Sequence, residues 1–354
     1  VIHRITPQRH VLALAAALAL ASGCRTAAVP PGAPAVAAPS VIGPDTVPAG
    51  LRPGEHHVVL NGVRHWYRVA GRAPVGAPPV VFLHGGPGQG SAHFDALAGP
   101  YLEPLLRVVY FDQRSSGRSD RAADGDYAIA TLVEDVEALR RALGVPRMAL
   151  VGHSFGGLLA LEYAAKYPAH VSHLVVAAGV WDFDLQCRLR LRRMAELRPE
   201  AYARVHGDTL TSTGARRSDC ELEFQAFSGE ERDRYNTALM FPDPAVEARI
   251  DSVNAARGIR NTGEISRALF GKGGLLRYRF SALDRLTMPV LVVAGRHDGA
   301  ARPEGLRALA EALPNARFVE YERSGHFIYL DEPERFARDL AAFFRASPAS
   351  RSRR

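Results

Sequence analysis

The chain has 354 residues, 47% of them apolar, enough for a sizeable core in one large domain or two ordinary ones. Its formal net charge is +7, carried almost wholly by arginine, since Lys166 and Lys272 are its lysines. The densest basic stretches, Arg188 to Arg193 and Arg351 to Arg354, have no interleaved aromatics and no nucleic-acid motif, so they read as solvated arginines and nucleic acid is set aside as a partner.

Arg4 and Arg9 precede the apolar run Val11 to Leu20, which leads into Ala21-Ser22-Gly23-Cys24. A basic head, an apolar segment and small residues before a cleavage point predict a secretory signal over residues 1–24. The segment is too short to span a bilayer as a mature helix. Its end resembles the lipobox of bacterial lipoproteins, which implies lipidation at Cys24 and an exported protein anchored through its N-terminus to the periplasmic side of a bacterial membrane. An ordinary signal peptide, and hence a secreted protein, is the alternative. Residues 25–50 are rich in Ala, Pro and Gly, cannot bury enough apolar surface to fold, and suit a flexible tether.

His57 to Leu60 and Val63 to Val69 flank Asn61-Gly62, a hairpin signal. Pro79 to Leu83 is a short apolar strand running into His84-Gly85-Gly86-Pro87-Gly88. Arg107 to Phe111 is another, ending in Asp112-Gln113-Arg114-Ser115-Ser116-Gly117-Arg118-Ser119. Leu132, Val136, Leu139 and Leu143 share one helix face, with Thr131 and Glu134 as a capping box and Gly144 as the stop. Met148 to Val151 is a strand that meets Gly152-His153-Ser154-Phe155-Gly156-Gly157, and a helix runs from there to about Tyr167. Val171 to Ala178 is the next strand.

From 181 to 280 the pattern is charged, helical and without clear strands. Strand and helix alternation resumes at Pro289 to Ala294, Pro303 to Leu313, Arg317 to Tyr321 and Pro333 to Arg345. Alternation with nearly continuous apolar strands predicts a mostly parallel sheet covered by helices on both faces. The core is then 51–180 with 281–354, and 181–280 is an inserted helical cap over the strand ends where ligands bind. Cys187 and Cys220, inside that cap, either pair in an oxidising compartment, adding roughly 3–4 kcal/mol, or stay as two buried thiols. No metal-ligand spacing of Cys and His occurs.

A serine between glycines, at the tip of a strand–turn–helix, sits in a strained turn above the sheet and at a helix N-terminus. Gly295-Arg296-His297-Asp298 and Ser324-Gly325-His326-Phe327 follow two later strands. Ser154, Asp298 and His326 thus come in the order nucleophile, acid, base. A hydroxyl is a poor nucleophile unless an imidazole takes its proton, and the imidazole needs a carboxylate to fix its tautomer. The Phe155 N–H and an N–H of the glycine loop, Gly86 ahead of Gly85, are the candidate oxyanion donors. His84 reads as a brace for that loop and His153 as a packing residue. Each residue alone has a bland reading as a turn cap, a loop histidine or a tight turn.

Together these motifs make the chain from about residue 51 onward resemble an α/β-hydrolase, closest to the proline iminopeptidase group. The resemblance rests on His84 to Gly88, Asp112-Gln113-Arg114, Gly117-Arg118-Ser119, the serine elbow, Gly295 to Asp298 and Gly325-His326-Phe327. It implies hydrolysis of a small-molecule or short-peptide substrate through an acyl-enzyme, without metal or organic cofactor. It also implies cap glutamates that hold a free α-amino group, for which Glu221, Glu223 and Glu264 are available. The chain departs from that group at Phe155, where tryptophan is usual, and at Ser115, where glycine is. It has no Trp-Glu motif in the cap, Trp66 and Trp181 being its tryptophans.

The expectation is an exported serine hydrolase of the aminopeptidase kind, with a carboxylesterase or lactonase as the alternative. The same residues serve an acyltransferase, and a binding protein that retained the fold without activity is the remaining rival. Nothing in the chain sets an oligomeric state.

Overall fold

A two-residue turn starts the sheet. Asn61 and Gly62 both take positive φ, and β1 (Gly54–Leu60) returns as β2 (Val63–Gly71) with Leu60 opposite Val63. The computed structural model of the chain describes residues 51–73, 77–206, 216–259, 263–271 and 274–345. The expected signal segment, Cys24 and the linker to residue 50 lie outside the described residues.

After the hairpin come β3 (Val80–Leu83), α1 (Gly99–Leu102), β4 (Arg107–Phe111), α2 (Ile129–Ala142), β5 (Met148–His153), α3 (Phe155–Lys166) and β6 (Val171–Ala177). Among the described residues, six α-helices follow without a strand: α4 (Phe183–Leu197), α5 (Pro199–His206), α6 (Asp219–Gln225), α7 (Gly229–Met240), α8 (Pro244–Ala256) and α9 (Glu264–Phe270). The chain then resumes β7 (Val290–Gly295), α10 (Pro303–Glu311), β8 (Ala316–Tyr321), α11 (Ile328–Asp331) and α12 (Pro333–Arg345).

The eight strands make one sheet in the order β1-β2-β4-β3-β5-β6-β7-β8. β1 and β4 flank β2 antiparallel, and every pairing from β4 to β8 is parallel. Val81, Val109, Leu150, Val175 and Val292 are wholly buried, each contributing about 1.5–3 kcal/mol relative to an exposed side chain. This is the doubly covered sheet that the apolar strands predict. α3 packs against β5 and β6, so it is apolar nearly all round. α12 buries Phe336, Leu340 and Phe343 along one stripe and leaves its charges outside.

The start of α2 differs from expectation. The helix begins at Ile129, two residues before Thr131, and no capping box forms. Asp126 accepts from the Ala128 N–H at 3.0 Å and the Thr131 hydroxyl at 2.6 Å, while Glu134 is taken by Lys166 and Tyr167. A carboxylate in the preceding loop caps the helix better than a threonine already inside it. Gly144 does stop it, with φ of 68°.

Candidate active site

The sheet's parallel strands deliver their C-terminal ends to one edge, where four loops meet. At the end of β5, Ser154 has φ 54° and ψ −120°, held by its N–H on Ala177 O at 3.0 Å. This is the strained turn expected of the sequence, and it survives because α3 packs its first turn against β3. A Cβ on Gly156 would run into the Leu83 carbonyl, so only glycine lets the helix approach so closely.

Asp298, after β7, is wholly buried and its carboxylate is fully used. Oδ1 accepts from the N–H groups of Ala300 and Ala301, both at 2.8 Å. Oδ2 accepts from His326 Nδ1 at 2.9 Å. With Nδ1 protonated, Nε2 of the neutral imidazole is left as the basic nitrogen. Ser154 and His326 line the same cleft with no hydrogen bond between them; such contacts tighten when substrate closes a site.

Gly86 and Phe155 line that cleft too. Phe155 is the first residue of α3, so its N–H lies outside the helix's own ladder. Gly86 has φ 113°, and a Cβ there would sit 2.7 Å from Gly88 N. Gly85, by contrast, is fitted against Ser154: a Cβ there would stand 2.8 Å from the serine Cβ.

The loop carrying Gly86 is braced from β4. His84 Nε2 accepts from the Gln113 N–H at 3.1 Å, its Nδ1–H donates to Gly85 O at 2.9 Å, and Gln113 Nε2 donates to His84 O at 2.9 Å. Burial holds the His84 imidazole below its ordinary pKa, which suits the neutral tautomer that both bonds require. Asp112 accepts from Ser91 N at 2.6 Å and Ser91 Oγ at 2.7 Å, and from Arg118 N at 2.8 Å and Nε at 2.7 Å. Though burial opposes it, the Arg118 guanidinium, with these donors, holds the Asp112 carboxyl below its usual value. The Asp112 to Ser119 motif is therefore a scaffold beneath the glycine loop.

His153 also does more than pack. Its Nε2–H donates to the His326 carbonyl at 2.9 Å, and it lies in a ring cluster with Phe327, Tyr329 and His93. Burial pushes its pKa well below the ordinary histidine value, and takes His93, bonded to the Tyr329 hydroxyl at 3.0 Å, to about 3.

The inserted helices close over these loops and are bonded to them. Gly299 N–H donates to Leu239 O at 2.8 Å and His326 N–H to Met240 O at 3.0 Å, so the C-terminus of α7 holds the loops of both Asp298 and His326. Cys187 and Cys220 form a disulfide joining α4 to α6. This settles the open choice between bridge and thiols.

The cleft under these helices spans about 910 Å³ of space between atoms, the open solvent at its mouth included. Phe183, Leu239, Phe270, Leu275 and Phe327 give it apolar walls. The glutamates expected there stand elsewhere. Glu221 is consumed by the capping box of α6, accepting from the Ser218 N–H at 2.7 Å. Glu264 faces the core loop, where it pairs with Arg121 and Tyr127. Glu223 is buried behind the cleft against Arg190, 2.8 Å from its Nη2. Arg190 itself corrects the reading of its stretch as solvated. On α4 it shares the inward face of Cys187, Leu191 and Met194, and it lines the cleft. A run of basic residues conceals that helical stripe.

Residues 78–333 match the family described as the alpha/beta hydrolase fold. A proline iminopeptidase of Pestalotiopsis fici is 27% identical over 280 residues, covering 78% of this chain and 94% of the relative. One of Lactiplantibacillus plantarum is 26% identical over 283 residues, covering 77% and 94%. The solved structure of a proline iminopeptidase-related protein from Thermus thermophilus superposes with a TM-score of 0.65 at 28% identity, over 82% of this chain and 96% of that one. With the sheet order, the elbow and a match over most of its length in agreement, the chain belongs to the α/β-hydrolase fold family, as a hydrolase resembling the proline iminopeptidase group.

Proposed function

We propose that the chain is a serine hydrolase that cleaves an ester or amide bond of a small substrate through an acyl-enzyme on Ser154. The shared cleft of Ser154 and His326, with His326 Nδ1 bonded to buried Asp298, is the observation that carries this reading. His326 Nε2 takes the proton as Ser154 Oγ attacks the carbonyl carbon. The N–H groups of Phe155 and Gly86 hold the oxygen as it becomes negative. The tetrahedral intermediate then collapses: the bond to the leaving group breaks as His326 gives that group its proton, and the acyl group stays on Ser154 Oγ. Water, deprotonated by the same imidazole, attacks the acyl-enzyme, and Ser154 leaves with the proton. Asp298 keeps the imidazole oriented and stabilises its charged form throughout.

The names of the relatives support an aminopeptidase for short peptides. The cleft supports an esterase or lactonase, because among its described lining residues no carboxylate faces a substrate ammonium. A fluorophosphonate probe should label the protein and fail to label Ser154→Ala; a folded wild type that is never labelled would refute serine catalysis. Proline 4-nitroanilide, its N-blocked form and a 4-nitrophenyl ester then separate the two substrate readings. Strict dependence on the free amine would favour the aminopeptidase. A lipid anchor at Cys24 and export belong to the same proposal, and globomycin-sensitive processing in a bacterial host would test them.

A further inference from the structure

Arg190 is a cation with more bonding capacity than its neighbours use. Its side chain is 8% exposed, and it stands between the cleft and a smaller cap cavity of about 290 Å³ lined by Glu223, Arg232 and Tyr235. Nη2 meets Glu223 Oε2 at 2.8 Å and Cys187 Sγ at 3.3 Å, whereas Nε is enclosed with no hydrogen-bond partner. A buried guanidinium N–H without an acceptor is costly in a finished core.

The local charge does not balance either. Two guanidiniums, Arg190 and Arg232, face one carboxylate, Glu223. Arg232 directs its donors to the neutral carbonyls of Phe224 and Phe227. Burial also raises the Glu223 carboxyl above its ordinary pKa, so it is a weakened counter-charge. This trio carries one positive charge in surplus, and Arg190 is its member that lines the cleft. Ser266 and Asn236 line the cleft as well, among Phe183, Phe270 and Leu275. Within such apolar walls an arginine binds a planar anion far more strongly than in water.

We propose that Arg190 holds a carboxylate carried by the substrate, so that the preferred substrates are monoanionic acyl compounds with an apolar stretch between the carboxylate and the scissile carbonyl. A single surplus charge and a flat guanidinium fork match one carboxylate better than a phosphate dianion. This deepens the Ser154 reading and rests on it for turnover, though not for binding.

The test uses esters matched in length. Mono-4-nitrophenyl adipate and 4-nitrophenyl hexanoate differ by the terminal carboxylate, and wild-type kcat/KM should favour the adipate roughly tenfold to hundredfold, the range of a charge-assisted hydrogen bond. Arg190→Gln should erase the preference, read as the ratio of adipate to hexanoate kcat/KM within the variant itself. Glu223→Gln, which removes the competing carboxylate, should increase it; this variant also decides the matter should Arg190→Gln fail to fold. Equal wild-type rates, or a preference that survives Arg190→Gln, would overturn the proposal. Calorimetry of monomethyl adipate against methyl hexanoate on Ser154→Ala reads binding apart from chemistry. Anion-selective binding without any wild-type turnover would sink the serine reading and leave Arg190 standing; turnover without selectivity would do the reverse.

Discussion

Asp298 shows how one side chain takes its role by saturation. Three donors converge on its two oxygens, and one of them is the imidazole. Asn at this position keeps the size but presents an N–H where Nδ1–H must donate, so the imidazole turns to the wrong tautomer. Asp298→Asn should therefore lower kcat about 10⁴-fold with KM little changed, measured on any ester the wild type cleaves. A loss under tenfold would mean that His326 does not act through this carboxylate. The three residues were legible because each follows an apolar strand in a fixed order. The scaffold of Asp112, Gln113 and His84 was visible only as a resemblance, because the bonds that tie it to the chain after β3 join residues 21 to 29 positions apart. Arg190 was hidden for another reason. Its neighbours in sequence are exposed arginines, and burial on α4 depends on which helix covers it.

Among the elements, the inserted helices combine weak local signals with strong tertiary ties. α4 and α6 are joined by the Cys187–Cys220 bridge across 33 residues. Closing a loop of that length removes about 4 kcal/mol of chain entropy from the unfolded state. Reduction with dithiothreitol, or Cys187→Ala with Cys220→Ala, should lower the urea midpoint accordingly and loosen α4, with rising KM as Arg190 loses its seat. A midpoint unmoved by reductant would show that the bridge is not formed in solution. The capping box expected at Thr131 and Glu134 failed by a similar logic. Local spacing permitted it, but Asp126 from the loop and Lys166 from α3 took the partners. That Glu221 and Glu264 already have partners in the cap and the core loop was not legible, because a glutamate's sequence neighbours do not reveal whether its carboxylate is engaged.

For the whole molecule, His84, His93 and His153, three of the wholly enclosed histidines, make stability depend on acid. His84, His93 and His153 are each held below the ordinary histidine value, chiefly by burial, His93 to about 3. The unfolded chain takes up a proton on each below about pH 6.5, whereas the folded protein refuses it. Stability is therefore complete above that pH and falls as the pH drops below it, by about 1.4 kcal/mol per pH unit for each histidine that titrates only when unfolded, a loss that for His93 continues to about pH 3. Carboxylates with depressed values, such as Asp112, add to the loss only below about pH 4. Urea unfolding at pH 7 and pH 5 should show the decline, and a flat profile between them would contradict it. On this scale the amino-acid order alone determined the alternation of strands and helices, the parallel sheet and the serine elbow, since those follow from apolar periodicity and glycine placement over a few residues. Which carboxylates are free, which cysteines meet, how α7 grips both loops and why Arg190 faces the cleft were decided by packing, because each depends on partners brought together from distant parts of the chain.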